Sequence, residues 1–112
     1  MKYDIETDRF GTKHYYINNV LHREDGPAVE YSNGSKCWYK NGKLHRENGP
    51  AIEWYDGSKG WHQNGKLHRE DGPTREYIDG VKHWFLNNTY YGINNKFTNK
   101  SWKTFVKTLL FS

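Results

Sequence analysis

Leu21-His22-Arg23-Glu24-Asp25-Gly26-Pro27 returns as Leu44-His45-Arg46-Glu47-Asn48-Gly49-Pro50 and again as Leu67-His68-Arg69-Glu70-Asp71-Gly72-Pro73, each copy starting 23 residues after the last. A fixed period of roughly 20 to 50 residues marks a repeat architecture: one unit is too small to bury its own apolar face and covers it by stacking on its neighbours. The frame extends past the heptapeptide. Residues 21–43 and 44–66 agree at 15 of 23 positions, and each closes on Gly-Ser-Lys-x-Trp-x-x-Asn-Gly-Lys. Weaker copies flank them, with Tyr15 standing where Trp38 stands upstream and Tyr90-Tyr91-Gly92 replacing Leu-His-Arg downstream. The predicted organisation is a β-repeat array over 1–97, with copies near 11–20, 21–43, 44–66 and 67–91, followed by a helix over 98–112.

Asn33-Gly34, Asn41-Gly42, Asp56-Gly57, Asn64-Gly65 and Asp79-Gly80 separate short runs rich in β-branched and aromatic residues. Such dipeptides favour hairpins because both positions of a type I′ turn need positive φ. The pattern predicts a mainly β, antiparallel meander with strands at Ala28–Ser32, Ser35–Lys40 and Lys43–Arg46, broken at each Gly-Pro, where proline has no N–H for a ladder. If Asn33-Gly34 is a two-residue turn, Val29 lies opposite Trp38 and Ala28 opposite Tyr39. If Asn41-Gly42 is another, Trp38 lies opposite His45 and Tyr39 opposite Leu44. One face then carries Tyr15, Trp38, Trp61 and Trp84 beside His22, His45, His68 and Tyr91. The other carries Tyr16/Leu21, Tyr39/Leu44, His62/Leu67 and Phe85/Tyr90, with Arg23, Arg46 and Arg69 on that second face or its rim.

The period changes near the end. Trp102, Phe105, Val106, Leu109 and Leu110 form the apolar stripe of an amphipathic helix, with Thr98 or Asn99 as N-cap, read as a cap over an open sheet. Charge also splits sharply along the chain. Residues 1–80 hold 12 Lys/Arg against 13 Asp/Glu, whereas 81–112 hold five lysines and no acid. Lys96, Lys100, Lys103 and Lys107 follow a helical spacing. They form either a solvated basic face or one that attracts nucleic acid, an acidic protein or a phosphorylated ligand.

A mean hydropathy of -1.13 with 17% aromatic residues describes a polar chain whose core is built from large rings. No run approaches a transmembrane span, no secretory leader is legible, and the lone Cys37 excludes an internal disulfide, so a cytoplasmic protein is expected.

The frame Tyr-x-x-Gly-x-x-x-Trp-x-x-Asn-Gly-Lys-Leu-His-Arg, followed by Gly-Pro and a short strand, resembles the MORN repeat, and especially its divergent variant in small phage and giant-virus proteins. The likeness covers about residues 11–91. It implies an elongated β-meander used for binding, without a shared catalytic residue and often followed by a C-terminal helix. Arg23, Arg46 and Arg69 stand where the common MORN pattern has glycine, so lipid contacts proposed for that family do not transfer.

Three function classes compete on these residues. Acid–base catalysis by His-Arg-Glu would need one asymmetric constellation, and each copy offers the same groups. A metal held by His22, His45 and His68 would need them to converge to about 2.0–2.1 Å from one ion, whereas stacked copies sit at repeat spacing. The expectation is therefore a non-enzymatic binding protein without cofactor or metal. It would dock on and inhibit a host or defence factor, or alternatively sequester an anionic nucleotide signal. The binding candidates are His22, Arg23, Trp38, His45, Arg46, Trp61, His68, Arg69 and Trp84, in a chain that could complete its sites as a homo-oligomer. The competing role for the same motif is inter-repeat scaffold, with His beside Trp and Arg pairing with Glu between copies.

Overall fold

The computed structural model describes residues 2–111. Met1 and Ser112, at the outer ends of the predicted array and helix, lie outside the described residues. The chain is an antiparallel β-meander closed by one helix. Its strands are β1 (Asp4–Thr7), β2 (Lys13–Ile17), β3 (Val20–Leu21), β4 (Val29–Glu30), β5 (Lys36–Cys37), β6 (Tyr39–Lys40), β7 (Lys43–Leu44), β8 (Ile52–Glu53), β9 (Lys59–Gly60), β10 (His62–Gln63), β11 (Lys66–Leu67), β12 (Arg75–Glu76), β13 (Lys82–Leu86) and β14 (Thr89–Ile93). Helix α1 runs Asn99–Phe111.

The main sheet has the order β1-β2-β4-β5-β8-β9-β12-β13-β14. Each repeat forks around its aromatic residue. The first half of the long strand (β5, β9) pairs inside the main sheet, and the second half (β6, β10) turns back on β7 or β11 as a two-stranded arm. The arm turns are the two-residue turns expected: Tyr39 faces Leu44 and Lys40 faces Lys43, with Asn41 at φ 53° and Gly42 at φ 79°. The His45 amide donates to the Trp38 carbonyl at 3.0 Å, as the predicted register requires.

The other turns correct that register by one residue. Val29 faces Cys37, not Trp38, and Ala28 donates to the Cys37 carbonyl rather than facing Tyr39. Only Gly34 takes a positive φ, 95°, while Asn33 does not; its Oδ1 instead accepts the Ser35 amide at 2.8 Å. The loop is thus three residues long, a type I turn closed by a left-handed glycine, in which Gly34 N–H donates to the Tyr31 carbonyl and Tyr31 N–H to that of Ser35. Asp56-Gly57 and Asp79-Gly80 repeat it. The regular strands are also shorter than predicted, because the chain forks at Trp38 and Trp61.

The corrected register sorts the two faces. Glu6, His14, Val29, Cys37, Ile52, Gly60, Arg75, His83 and Ile93 are successive opposite partners and form one row across the sheet. The next row, on the opposite face, reads Lys13, Glu30, Lys36, Glu53, Lys59, Glu76 and Lys82, a strict alternation of sign. Each opposite pair favours this register by a few tenths of a kcal/mol, to about 1. A one-residue slip would carry a strand's charges through to the reverse face, among Val29, Cys37 and Ile52. The face bearing the charged row carries the Trp ladder and is called here the indole face; its reverse is the tyrosine face.

Helix α1 covers the last unit on the indole face. Thr98 is its N-cap: Thr98 Oγ1 accepts the Ser101 amide at 3.0 Å, and Ser101 Oγ accepts the Thr98 amide at 2.8 Å. Trp84, Leu86, Trp102 and Val106 form the buried cluster, flanked by Tyr91, Phe97 and Phe105. Among the described residues no helix is long and apolar enough to cross a membrane.

Candidate functional site

Arg23, Arg46 and Arg69 do not project on the second face. Each guanidinium lies over the ring of the preceding strand on the indole face, Arg23 over Tyr15 at 3.9 Å, Arg46 over Trp38 at 3.8 Å and Arg69 over Trp61 at 3.8 Å. Side-chain alternation predicts them on that second face or its rim, but the strand ends at Leu44 and the Gly-Pro loop curls the chain back over its own arm. The opposite side of the guanidinium is covered by glycine: a Cβ at Gly26, Gly49 or Gly72 would stand 3.0, 3.1 or 2.7 Å from the Arg Cζ. A side chain at Gly72 would force the guanidinium to shift, and one at Gly26 or Gly49 would crowd it by a few tenths of an ångström, so the arginine fits closely between ring and glycine.

The same guanidinium closes the loop. Nη1 donates to the carbonyl of Pro27, Pro50 or Pro73 at 3.0–3.1 Å. It also meets Glu30, Glu53 or Glu76 of the charged row, at 3.6, 2.9 and 3.4 Å. In the first and third copies Nε binds Asp25 or Asp71 as well, and this bond, the first cause, holds the Asp25 carboxyl below its ordinary range. The arginine side chains are 18%, 29% and 19% exposed. As exposed recognition groups they are a correction to the sequence expectation: Nη1 in each copy, and Nε in the first and third, already serves the fold.

The histidines serve it too. His22, His45 and His68 accept the backbone amide of Asn41, Asn64 or Asn87 on Nδ1, at 3.0, 3.0 and 3.2 Å, so the proton sits on Nε2. Nε2 meets Glu24, Glu47 or Glu70 at 2.7–2.8 Å. Each imidazole thus ties its own loop to the turn of the next arm, and the arms are further joined by amides of Gly42 and Gly65 on the carbonyls of Leu21 and Leu44. Trp84 is 1% exposed beneath α1 and is core. Lys96 lies in the short turn at Asn94–Lys96 that precedes the helix, while Lys100, Lys103 and Lys107 are exposed on α1 itself.

What the indole face leaves open is a pair of equivalent clefts between successive loops. The first, about 560 Å³, is lined by Arg23 to Gly26 and by Trp38, His45 and Arg46; the second, about 750 Å³, by Arg46 to Gly49 and by Trp61, His68 and Arg69. Glu47 and Asn48 border both. The accessible charge on the rims is mainly acidic, because Glu24, Asp25, Glu47, Glu70 and Asp71 are 54–70% exposed while the guanidiniums are held inside, with Lys40 an exposed cation beside the first cleft. The sequence could have revealed these clefts through the constant three-residue spacing of Arg and Gly, which implies a loop folded onto itself.

Two buried groups depart from the repeat. His62 stands where the frame has Tyr39 and Phe85, and Arg75 where it has Val29 and Ile52. His62 Nδ1 and Arg75 Nε are buried with no hydrogen-bond partner among the described residues. Burial first, and the Arg75 charge second, lower the His62 pKa to about 4. Between that value and the model-peptide value of about 6.5, the unfolded chain binds a proton that the folded chain excludes. Stability is therefore full above pH ~6.5 and falls as the pH drops toward 4, where the loss levels off at about 3 kcal/mol. His62→Phe should flatten that part of the stability–pH curve, measured by urea unfolding at a series of pH values. An unchanged slope would assign the acid sensitivity elsewhere.

Burial also pushes the Cys37 thiol pKa up, which keeps it from acting as a thiolate nucleophile. Compared with family models, curated proteins and solved structures, the chain finds no match. What the geometry defines is a single-layer β-repeat array with paired inter-loop clefts, and the likeness to MORN repeats rests on the repeat frame.

Proposed function

We propose that this chain is a non-catalytic binding module that docks a protein partner along the loop row of the indole face, with a side chain of the partner entering each inter-loop cleft. The observation that carries this reading is the pair of equivalent clefts one repeat apart, each floored by a half-buried indole and rimmed by exposed carboxylates. Half-buried tryptophan in a polar rim is the composition of an interface anchor point. The acidic rims select a partner segment with basic side chains. The resemblance to phage-type MORN variants makes a host or defence factor the partner class, met in the host cytoplasm.

Catalysis is not part of the proposal because the same groups recur in each unit and each already has a structural partner. Sequestration of an anionic nucleotide is the weaker reading. It needs guanidinium donors free to grip phosphate, and Nη1 of Arg23, Arg46 and Arg69, with Nε of the first and third, is already engaged by Pro carbonyls and carboxylates while each guanidinium lies over a ring.

Asn48 offers the test, since it borders both clefts, is exposed and makes no side-chain hydrogen bond among the described residues. Asn48→Lys puts a cation into both rims without touching the Arg46 sandwich. Affinity for the captured partner should fall at least about tenfold, some 1.4 kcal/mol, with the thermal melt unchanged. Retained affinity in the folded variant would remove the clefts from the interface.

A further inference from the structure

The tyrosine face has no second layer. The molecule measures 44 × 32 × 19 Å, and α1 covers only the opposite side. Tyr31 is 43% and Tyr90 49% exposed, and Trp54 stacks on Tyr77 at 6.5 Å. Near the middle of the strand order, where β5 meets β8, lies an apolar hollow of about 380 Å³ lined by Tyr31, Cys37, Tyr39, Leu44, Ile52 and Trp54. An open aromatic surface of this extent is rare on a free monomer.

Charge on this face is divided between its ends. Glu6 and Asp4, opposite His14 and Tyr16, lie at the β1 edge, and Arg75 lies on β12, six strands further along the order. Among the described residues none of the three has an ion-pair partner, and Arg75 donates only to the Tyr77 hydroxyl, at 3.3 Å, with its Nε buried and unbonded. Glu6, Cys37 and Arg75 belong to one row, with Cys37 on the strand midway between the other two.

We propose that the tyrosine face is the interface of a two-fold homodimer, with the axis parallel to the strands near Cys37 and Ile52. That operation turns the row onto itself. Glu6 of one copy then falls on Arg75 of the other, twice, and the two aromatic faces close over the central hollows as a β-sandwich with a spacing of about 10 Å. The 44 × 32 Å outline exceeds the roughly 800 Å² that each subunit gives a standard interface. The pairing leaves the loop row and both clefts on the outside, so the dimer presents two binding rows facing opposite ways.

Sedimentation velocity of the full chain over a micromolar concentration series tests this. A monomer–dimer equilibrium is expected. Glu6→Arg and Arg75→Glu should each raise its dissociation constant on the order of 30-fold, since every substitution enters a two-fold interface twice. The double charge reversal should return it to within about threefold of the wild type. Should Arg75→Glu fail to fold, Tyr31→Lys, at an exposed position beside the hollow, must weaken the dimer alongside Glu6→Arg. A chain that stays monomeric throughout, or a dimer indifferent to these variants, overturns the proposal. Asn48→Lys should leave the dimer intact, so loss of cleft docking and loss of self-association are separate results.

Discussion

Arg46→Ala should lower the unfolding free energy by on the order of 3 kcal/mol, more than loss of a surface ion pair would. Two effects add. The cation–π stack on Trp38 contributes about 1–2 kcal/mol where the guanidinium is largely desolvated, and the charge-assisted bonds to Pro50 O and Glu53 are each of comparable size. Removal also uncovers the Trp38 ring and leaves the Pro50 carbonyl without its donor. Arg46→Lys should recover little, because an ammonium cannot lie flat between an indole and a glycine while donating at two angles. Gly72→Ala should press on the equivalent Arg69 harder than Gly49→Ala presses on Arg46, because its Cβ would stand 2.7 Å rather than 3.1 Å from the guanidinium carbon. Urea unfolding followed by far-UV circular dichroism decides it. A loss below about 1 kcal/mol for Arg46→Ala, the ordinary worth of an exposed pair, would return the arginine to the list of free recognition groups.

Trp102→Ala should cost about 3–5 kcal/mol, the range for truncating a buried indole. Trp102 is 0% exposed, packs on Trp84, Phe97 and Tyr91 at 4.9–5.8 Å, and donates its Nε1 proton to the Arg69 carbonyl at 2.7 Å. The reason for its weight lies in the repeat frame. Position 92, where arginine would cover Trp84, is Gly92, so the fourth unit lacks the sandwich of the others. Helix α1 supplies the missing lid with rings instead of a guanidinium. Truncation at Thr98 should therefore expose Trp84, Leu86 and Tyr91, read as dye binding and concentration-dependent aggregation. A truncated chain that melts like the parent and stays disperse would show that α1 is dispensable to the array.

Much of this is legible in the sequence. The 23-residue period fixed the stacked architecture, Asn41-Gly42 and Asn64-Gly65 gave true two-residue turns, and Thr98 capped the helix as its hydroxyl predicts. Asn33-Gly34 misled because the dipeptide suits two turns. In one, both residues take positive φ; in the other, glycine alone does, and the side chain before it bonds forward, which moves the register by one. Arg23, Arg46 and Arg69 were misplaced for a related reason. Period-2 alternation holds only while the chain remains a strand, and these residues are the first beyond it. His62 and Arg75 show the converse limit. Their departure from the frame is visible in the sequence, yet their isolation depends on the packing of Trp54 and Tyr77 around them.

The alternating row from Lys13 to Lys82 bears on how such a chain can change length. Every unit enters the row on a glutamate and leaves it on a lysine, so duplication or loss of one 23-residue unit leaves both seams with the neighbours they had before. Each inserted unit would widen the slab by two strands, roughly 9–10 Å, and add one cleft to the row. Span and valency would then grow in fixed steps, letting the array match a longer partner by recombination alone, with no new seam to evolve.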